Sequence, residues 1–440
     1  MRLGLANYPP MRFLLFAGLL ALAGSLSGQT ADPVNDPIFG NWTIKPILGF
    51  QGWSTYTAGF EEYDADANDY FPVDNRLNFM LRRTRFGANA KVGERLFVKF
   101  LGAADFVGSD QRAATIGGVN NGGFPVLQVW DIYAQYKLTP DSEGLYVIGG
   151  YFRPPVGRET ISGAFGVSSF EKGFNQWYLR QHLTGTGPGG TGGVYLGGLR
   201  PLGEKVFIDY RAGVWNAANN GISQGATYSP LVTSRVSFAF GDPERVTWAH
   251  GLPAANSFGK RKTVAVAISA ANEGPTTAAP GGIGLLGVDF LVDRGHFHLE
   301  GEYQLLTRDA AEEQNLPTLS SATYMLRTGF NIRVKGDAEG AARYLEPTLM
   351  VYGFDGATTL ADYATVVATN YFGAEEMVID AGVNYHVKPG KVRVGLHYTA
   401  FSGDRGALPA DGRLAWNFSQ AGVGGIRRGG YGGVEVIVNY

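Results

Sequence analysis

The stretch His296-Phe297-His298-Leu299-Glu300-Gly301-Glu302-Tyr303-Gln304-Leu305-Leu306 changes character at every residue. Phe297, Leu299, Tyr303 and Leu305 share one parity, and His296, His298, Glu300, Glu302 and Gln304 share the other. Side chains along a strand point alternately to the two faces, so this segment has one apolar face and one charged face. The same dyad recurs through the chain. At 205–215, Val206, Ile208, Tyr210, Ala212 and Val214 oppose Asp209 and Arg211. At 126–138, Gln128, Trp130, Ile132, Ala134, Tyr136 and Leu138 oppose Val129, Asp131, Tyr133, Gln135 and Lys137. Further segments of this kind predict about sixteen strands. The fold expected is all-β: a transmembrane antiparallel β-barrel with one face of each strand in lipid and the other toward a wet lumen.

Two local features qualify the pattern. The first strand, 43–57, should be broken by Pro46, which cannot donate to a sheet ladder. In 76–92, Leu77, Phe79 and Leu81 lie on one parity, and Phe86, Ala88, Ala90 and Val92 on the other. That switch predicts a bulge or a membrane boundary near Arg82-Arg83. Arg82, Arg83 and Arg85 are then either a cluster at headgroup level or part of the lumen wall, and parity alone leaves both open.

Composition agrees with a barrel. Among 440 residues, 64 are Gly, 13% are aromatic and only 17% are charged, so there is much apolar surface to place but no continuous apolar run beyond the N-terminus. Cysteine is absent, which removes disulfides and thiolate metal sites. A formal charge of −2 gives no basic face for nucleic acid. Arg2 and Arg12 precede the apolar run 13–22 and the small residues 23–28, which reads as a secretory signal peptide over 1–27 with cleavage near Ser27-Gly28. Either Met1 or Met11 suits as its start, and 28–440 is the mature domain. The apolar run is shorter than the roughly 20 residues of a membrane-spanning helix. An exported chain without such a helix is periplasmic, secreted, or a barrel, the other backbone arrangement that satisfies every peptide group in lipid.

Connections alternate in length. Short turns at Gly93-Glu94-Arg95, Asp293-Arg294-Gly295 and Lys388-Pro389-Gly390 face long loops at 58–75, 106–125, 153–193, 216–230, 307–321, 355–374 and 400–430. This asymmetry is that of outer-membrane barrels. The stretch 241–262 breaks it, being long where a short turn is due. The third long loop, with Arg153, Arg158, Glu159, Glu171, Lys172 and Arg180 among its aromatics, is expected to be irregular throughout and to fold into the barrel as a constriction. The inward parity of the wall carries both signs: Arg83, Arg85, Lys99, Lys137, Arg211, Arg235, Arg327 and Arg393 against Asp105, Asp131, Asp209, Asp289, Glu300, Glu302, Asp380 and Glu435.

Four places resemble the phosphate-selective (O/P-type) porin family: Leu81-Arg82-Arg83-Thr84-Arg85-Phe86-Gly87; Trp130-Asp131-Ile132-Tyr133-Ala134; Gly150-Tyr151-Phe152-Arg153-Pro154-Pro155 with Glu159 and Phe170-Glu171-Lys172; and Gly192-Gly193-Val194-Tyr195-Leu196-Gly197. The resemblance runs from about Leu81 to Trp215. It implies a sixteen-stranded, usually trimeric outer-membrane porin whose third loop folds inward, set in lipid and lipopolysaccharide. It also implies a water-filled channel for small hydrophilic or anionic solutes, phosphate among them. Phosphate selectivity in that family depends on dense basic residues along the channel, whereas this wall mixes signs, so weak ion selectivity is expected.

Enzyme signatures fare poorly. Gly185, Gly187 and Gly190 match GxGxxG, but a strand follows them where a dinucleotide site needs a helix. Gly221-Ile222-Ser223-Gln224-Gly225 matches GxSxG without the strand-to-helix turn of a nucleophile elbow. Asp64, Asp66 and Asn68 imitate a calcium loop, yet Asp69 and Asn75 stand where Gly and Glu are required. No catalytic residue, cofactor or metal site is assigned. The alternatives to a diffusion channel are an exported barrel of another kind, enzyme or adhesin, and a soluble exported β-sandwich.

Overall fold

A strand in hydrocarbon can leave no backbone N–H or C=O unpaired, so its sheet must close on itself. The computed structural model describes residues 34–36, 40–64, 67, 69–109, 126–216, 227–334, 336, 342–369, 373–404, 406–407 and 427–440. They form one closed antiparallel sheet. Of its 19 strands, three short pieces, Val34–Asp36, Asp69–Val73 and Ile332–Val334, extend their neighbours, and sixteen make the barrel. These are β1 (Gly40–Asp64), β2 (Arg76–Val92), β3 (Leu96–Val107), β4 (Gln128–Lys137), β5 (Tyr146–Phe152), β6 (Thr191–Pro201), β7 (Val206–Trp215) and β8 (Leu231–Gly241). The second half comprises β9 (Lys262–Glu273), β10 (Ile283–Arg294), β11 (Phe297–Arg308), β12 (Leu319–Phe330), β13 (Arg343–Asp355), β14 (Glu375–Lys388), β15 (Val392–Asp404) and β16 (Arg427–Asn439). Each pairs with the next, and β16 closes on β1 with Glu435 opposite Trp53. The expected signal segment 1–27, the 221–225 motif, Asp66 and Asn68 lie outside the described residues.

The dyads decide the faces. On β11, Phe297, Tyr303 and Leu305 point out, while His298, Glu300, Glu302 and Gln304 are buried inside. Around the ring, Val264, Val266 and Ile268 on β9, Leu286 and Val288 on β10, and Leu326 on β12 continue the outward apolar surface.

Bulges hold these faces constant where the sequence shifts parity. Gln51 pairs with Arg83 and Gly52 with Leu81, so Arg82 is an extra residue in β2. Leu81 and Phe86 thereby stay on the outward face, and Arg82, Arg83 and Arg85 all turn inward and are buried, which settles their two sequence readings in favour of the lumen. A second bulge corrects an expectation. Leu101 pairs with Asp131 and Gly102 with Val129, leaving Trp130 extra in β4. Val129 therefore faces out at 46% exposure, and Trp130 does not share the face of Ile132 but lies under the guanidiniums of Arg85 and Arg153. Pro46 does not break β1 either. It pairs with Ala88 of β2, and β16 makes its last pair at Gly49, so no ladder bond is lost on the other side.

The loop asymmetry holds, with short connections at one end of the barrel and long ones at the other. The stretch between β8 and β9 remains the exception. The third loop differs from expectation in holding helices where it was expected to be irregular throughout: β5 runs to Phe152, β6 begins at Thr191, and two α-helices lie between them, α1 (Arg158–Ile161) and α2 (Asn175–Thr184).

Neighbouring positions on β3 test the faces. Phe100 is 45% exposed on the outside, while Lys99 points inward to Asp131 at 3.3 Å. Phe100→Arg should impair assembly by about 2–4 kcal/mol if Phe100 lies near the bilayer midplane, and Lys99→Arg should be tolerated. The check is heat-dependent gel migration of outer-membrane fractions; equal behaviour of the two variants means the faces are misassigned.

Candidate functional site

The third loop crosses the lumen because apolar side chains anchor it at both ends. Val156, Leu179 and Leu183 pack with Tyr133, Ile148, Tyr195 and Trp215 of the wall. Farther on, Phe170 stacks on Trp53 of β1 at 4.3 Å between centroids, and Tyr178 stacks on Phe354 of β13 at 4.3 Å. The inner face is therefore aromatic as well as charged, which the expectation of a wet lumen missed. Helix α2 ends at Gly185, whose φ of 70° is the left-handed cap geometry that closes helices, with its N–H donating to Gln181 O. The glycines of the GxGxxG match thus belong to a helix end and a return to the wall.

Ion pairs then fix the loop to the wall. Glu171 lies between Arg82 and Arg83. Glu159 meets Arg327, which also donates to Glu300 at 2.6 Å. The Glu302 carboxylate accepts from the Glu159 N–H at 2.9 Å and from Asn175 Nδ2 at 2.7 Å, which holds α1 and α2 together. Arg153 reaches Asp131 at 3.3 Å, and Arg158 donates to Asp289 at 3.2 Å. Lys172 and Arg180 differ. Lys172 donates its Nζ to the carbonyls of Glu159 and Ser162, and Arg180 to the carbonyl of Thr160 at 3.0 Å. Neither has a carboxylate partner among the described residues. Burial and the nearby Arg153 hold the Arg180 guanidinium well below its usual range.

The wall residues named from sequence divide by position. Arg83 and Glu302 meet the loop, Glu300 holds Arg327, which meets it, and Arg85 pairs with Asp105 across β2 and β3. Lys137 sits apart at the barrel rim, bound to Glu143 of the β4–β5 turn at 2.8 Å. Asp209 and Arg211 pair with each other at 3.0 Å. Their neighbours come from the stretch 242–261, which enters the barrel from the short-turn end. Trp248 stacks on Tyr146 at 4.9 Å, and His250 Nδ1 lies 2.8 Å from the Tyr195 hydroxyl. Glu244 accepts two bonds from Arg158, at 2.8 and 3.0 Å, and the Leu252 N–H donates to Ile161 O at 3.0 Å. Sequence reasoning missed Trp130, Glu244, Trp248 and His250 as lumen residues. The unusual length of the β8–β9 connection was the signal for the last three.

No family model matches the sequence, and no curated protein matches it. Among solved structures, the fold is similar to that of Salmonella typhi OmpF in complex with daunomycin, at 12% identity and a TM-score of 0.51 over 90% of this chain and 98% of that one. An anion-selective porin from Comamonas acidovorans aligns at 11% identity and a TM-score of 0.49 over 90% and 100% of the two chains. OmpT of Vibrio cholerae, an outer membrane protein, aligns at 10% identity and 0.49 over 93% and 100%. At such identities the likeness is one of fold.

The Arg158–Glu244 pair has a pH signature. Burial pushes the Glu244 carboxyl up, but Arg158 more than offsets this and holds it at about 2, below the ordinary 4.5. A carboxylate depressed on folding stabilises fully above its unfolded value and loses that stabilisation as pH falls through the folded one. Glu244→Gln should therefore lower the unfolding midpoint by the same amount at pH 7 and pH 5.5, and the gap from wild type should shrink from about pH 4.5 toward pH 2. Detergent-solubilised protein followed by tryptophan fluorescence gives both midpoints; a gap already closing between pH 7 and 5.5 contradicts the pairing.

Proposed function

We propose that this chain is an outer-membrane diffusion channel for small hydrophilic solutes, with a mild preference for anions. The observation that carries the reading is the closed ring of sixteen strands with exposed apolar side chains outside and paired charges inside. Soluble monomers rarely expose an apolar patch beyond a few hundred Å², so exposed apolar side chains repeated on strand after strand belong in a bilayer. The ring leaves no sheet edge, and a barrel with an apolar outside belongs in the bacterial outer membrane. A sixteen-stranded barrel is also wide enough for an aqueous passage. With this reading go removal of segment 1–27 on export, lipid and lipopolysaccharide as surroundings, and a homotrimeric assembly. It makes the protein a channel rather than an enzyme.

The anion preference rests on the loop's charges after pairing. Arg153, Arg158, Glu159 and Glu171 are matched by Asp131, Glu244 with Asp289, Arg327, and Arg82 with Arg83. Wall pairs such as Arg235–Asp289 and Arg393–Glu435 cancel likewise at distances far inside a Debye length of about 8 Å. Lys172 and Arg180 are the loop cations left without a carboxylate, and they supply the preference. Phosphate is one anion of suitable size and charge, as the O/P-type resemblance suggests.

Reversal potentials in planar bilayers under a salt gradient test this. Wild type should favour anions weakly, Arg180→Ala should reduce the preference, and Arg153→Ala should change it less because Arg153 is already matched by Asp131. A strong block specific to phosphate, or an Arg180→Ala channel with unaltered selectivity, contradicts the assignment.

A further inference from the structure

The connection between β8 and β9 needs no more than a tight turn, because Asp242 N–H already donates to Lys262 O at 2.9 Å. The chain nevertheless spends 243–260 on a detour into the barrel. At one extreme of that detour, Trp248 stacks on Tyr146 of β5 and lies against Gly197 of β6, where a Cβ would come within 2.2 Å of the indole. His250 binds the Tyr195 hydroxyl of β6, and its carbonyl accepts from Arg211 of β7. At the other extreme, Asn256 Nδ2 donates to Glu346 of β13 at 2.8 Å, and Phe258 packs edge-on against His386 of β14 at 4.8 Å. In a ring of sixteen strands, β6 and β14 lie diametrically opposite. The detour is thus a strap across the mouth, anchored on both sides and held at its base by Arg261 on Asp293 at 2.9 Å.

The strap also meets the third loop, which enters from the other end. Leu252 and Ser162 are partners in a parallel bridge, Ala254 lies under Gly166, and Arg158 is held by Glu244. Beside this seam a cavity of about 70 Å³ remains, bordered by Phe165, Ser168, Asn256, Phe258, Glu346 and His386. A space of this size is roomy enough for several waters.

We propose that the strap 242–261 is a second constriction in series with the third loop and fixed to it, so that solutes which pass the loop must also pass along the seam. This rests on the channel reading. It makes Glu244, Asn256 and Phe258 determinants of what passes, although they belong to a connection that in a barrel of this type would be a short turn.

Two measurements test the proposal. The protein has no cysteine, so Ser162→Cys with Leu252→Cys reports the seam cleanly. Neighbouring strands lie about 4.8 Å apart, within the Cα separation a disulfide spans. The cross-link should form under mild oxidation in intact outer membranes, and its failure would place the strap elsewhere and overturn the idea. Second, single-channel conductance is compared between wild type and a variant in which 243–260 are replaced by Asn-Gly, a two-residue hairpin turn. The variant should conduct more. Equal conductance overturns the strap as a constriction and leaves the channel reading standing, whereas two silent proteins overturn both. If the shortened barrel does not assemble, Asn256→Ala with Phe258→Ala releases only the far anchor, and the same rise is expected; its absence counts against the strap.

Discussion

A ring of sixteen strands encloses more space than its own inward side chains can fill. Anything that controls passage through such a ring must be borrowed from the connections between strands. The borrowed segments must in turn be held against the wall by contacts strong enough to survive in water. Here the holding contacts are ion pairs on an aromatic footing: Glu171 between Arg82 and Arg83, Glu159 on Arg327, Phe170 on Trp53 and Tyr178 on Phe354. Removing one partner from a buried pair costs about 3–5 kcal/mol, because the other charge is left without compensation. The mixed signs of the wall follow from this. Most wall charges exist to position something, and few remain to act on a solute.

The barrel was legible in the sequence because lipid imposes a strict rule of two. Every outward position must be apolar, so β11 reads as a dyad without any knowledge of its neighbours. The same rule located the β2 bulge, since Leu81 and Phe86 cannot both face lipid without an extra residue between them. It misplaced Trp130 because an aromatic residue satisfies either face, and only the register of β3 against β4 reveals the bulge there. Pro46 misled for a similar reason: its tolerance depends on where β16 ends, which β1 does not encode.

Inside the barrel the rule weakens. The loop's composition announced that it was ordered, but not that α1 and α2 would form within it. Those helices depend on contacts such as Asn175 and the Glu159 N–H on Glu302, made by residues more than a hundred positions apart. Of the residues expected at the constriction, Glu171 meets Arg83 of the wall and Glu159 meets Arg327 and, through its N–H, Glu302. Lys137, Asp209 and Arg211, chosen by parity alone, have other neighbours, because parity gives direction across the sheet and says nothing of height along the barrel.

The Arg158–Glu244 pair joins two segments that reach it from opposite faces of the membrane. Neither can arrive by diffusion in one compartment: β6, β7 and β8, which separate them in the chain, must first span the bilayer and leave one connection on each side. The bond therefore belongs to the last stage of biogenesis. Once made, it ties the two rims together mechanically, so a pull on the surface loop is felt at the opposite rim, and fraying at one end is resisted by anchors at the other.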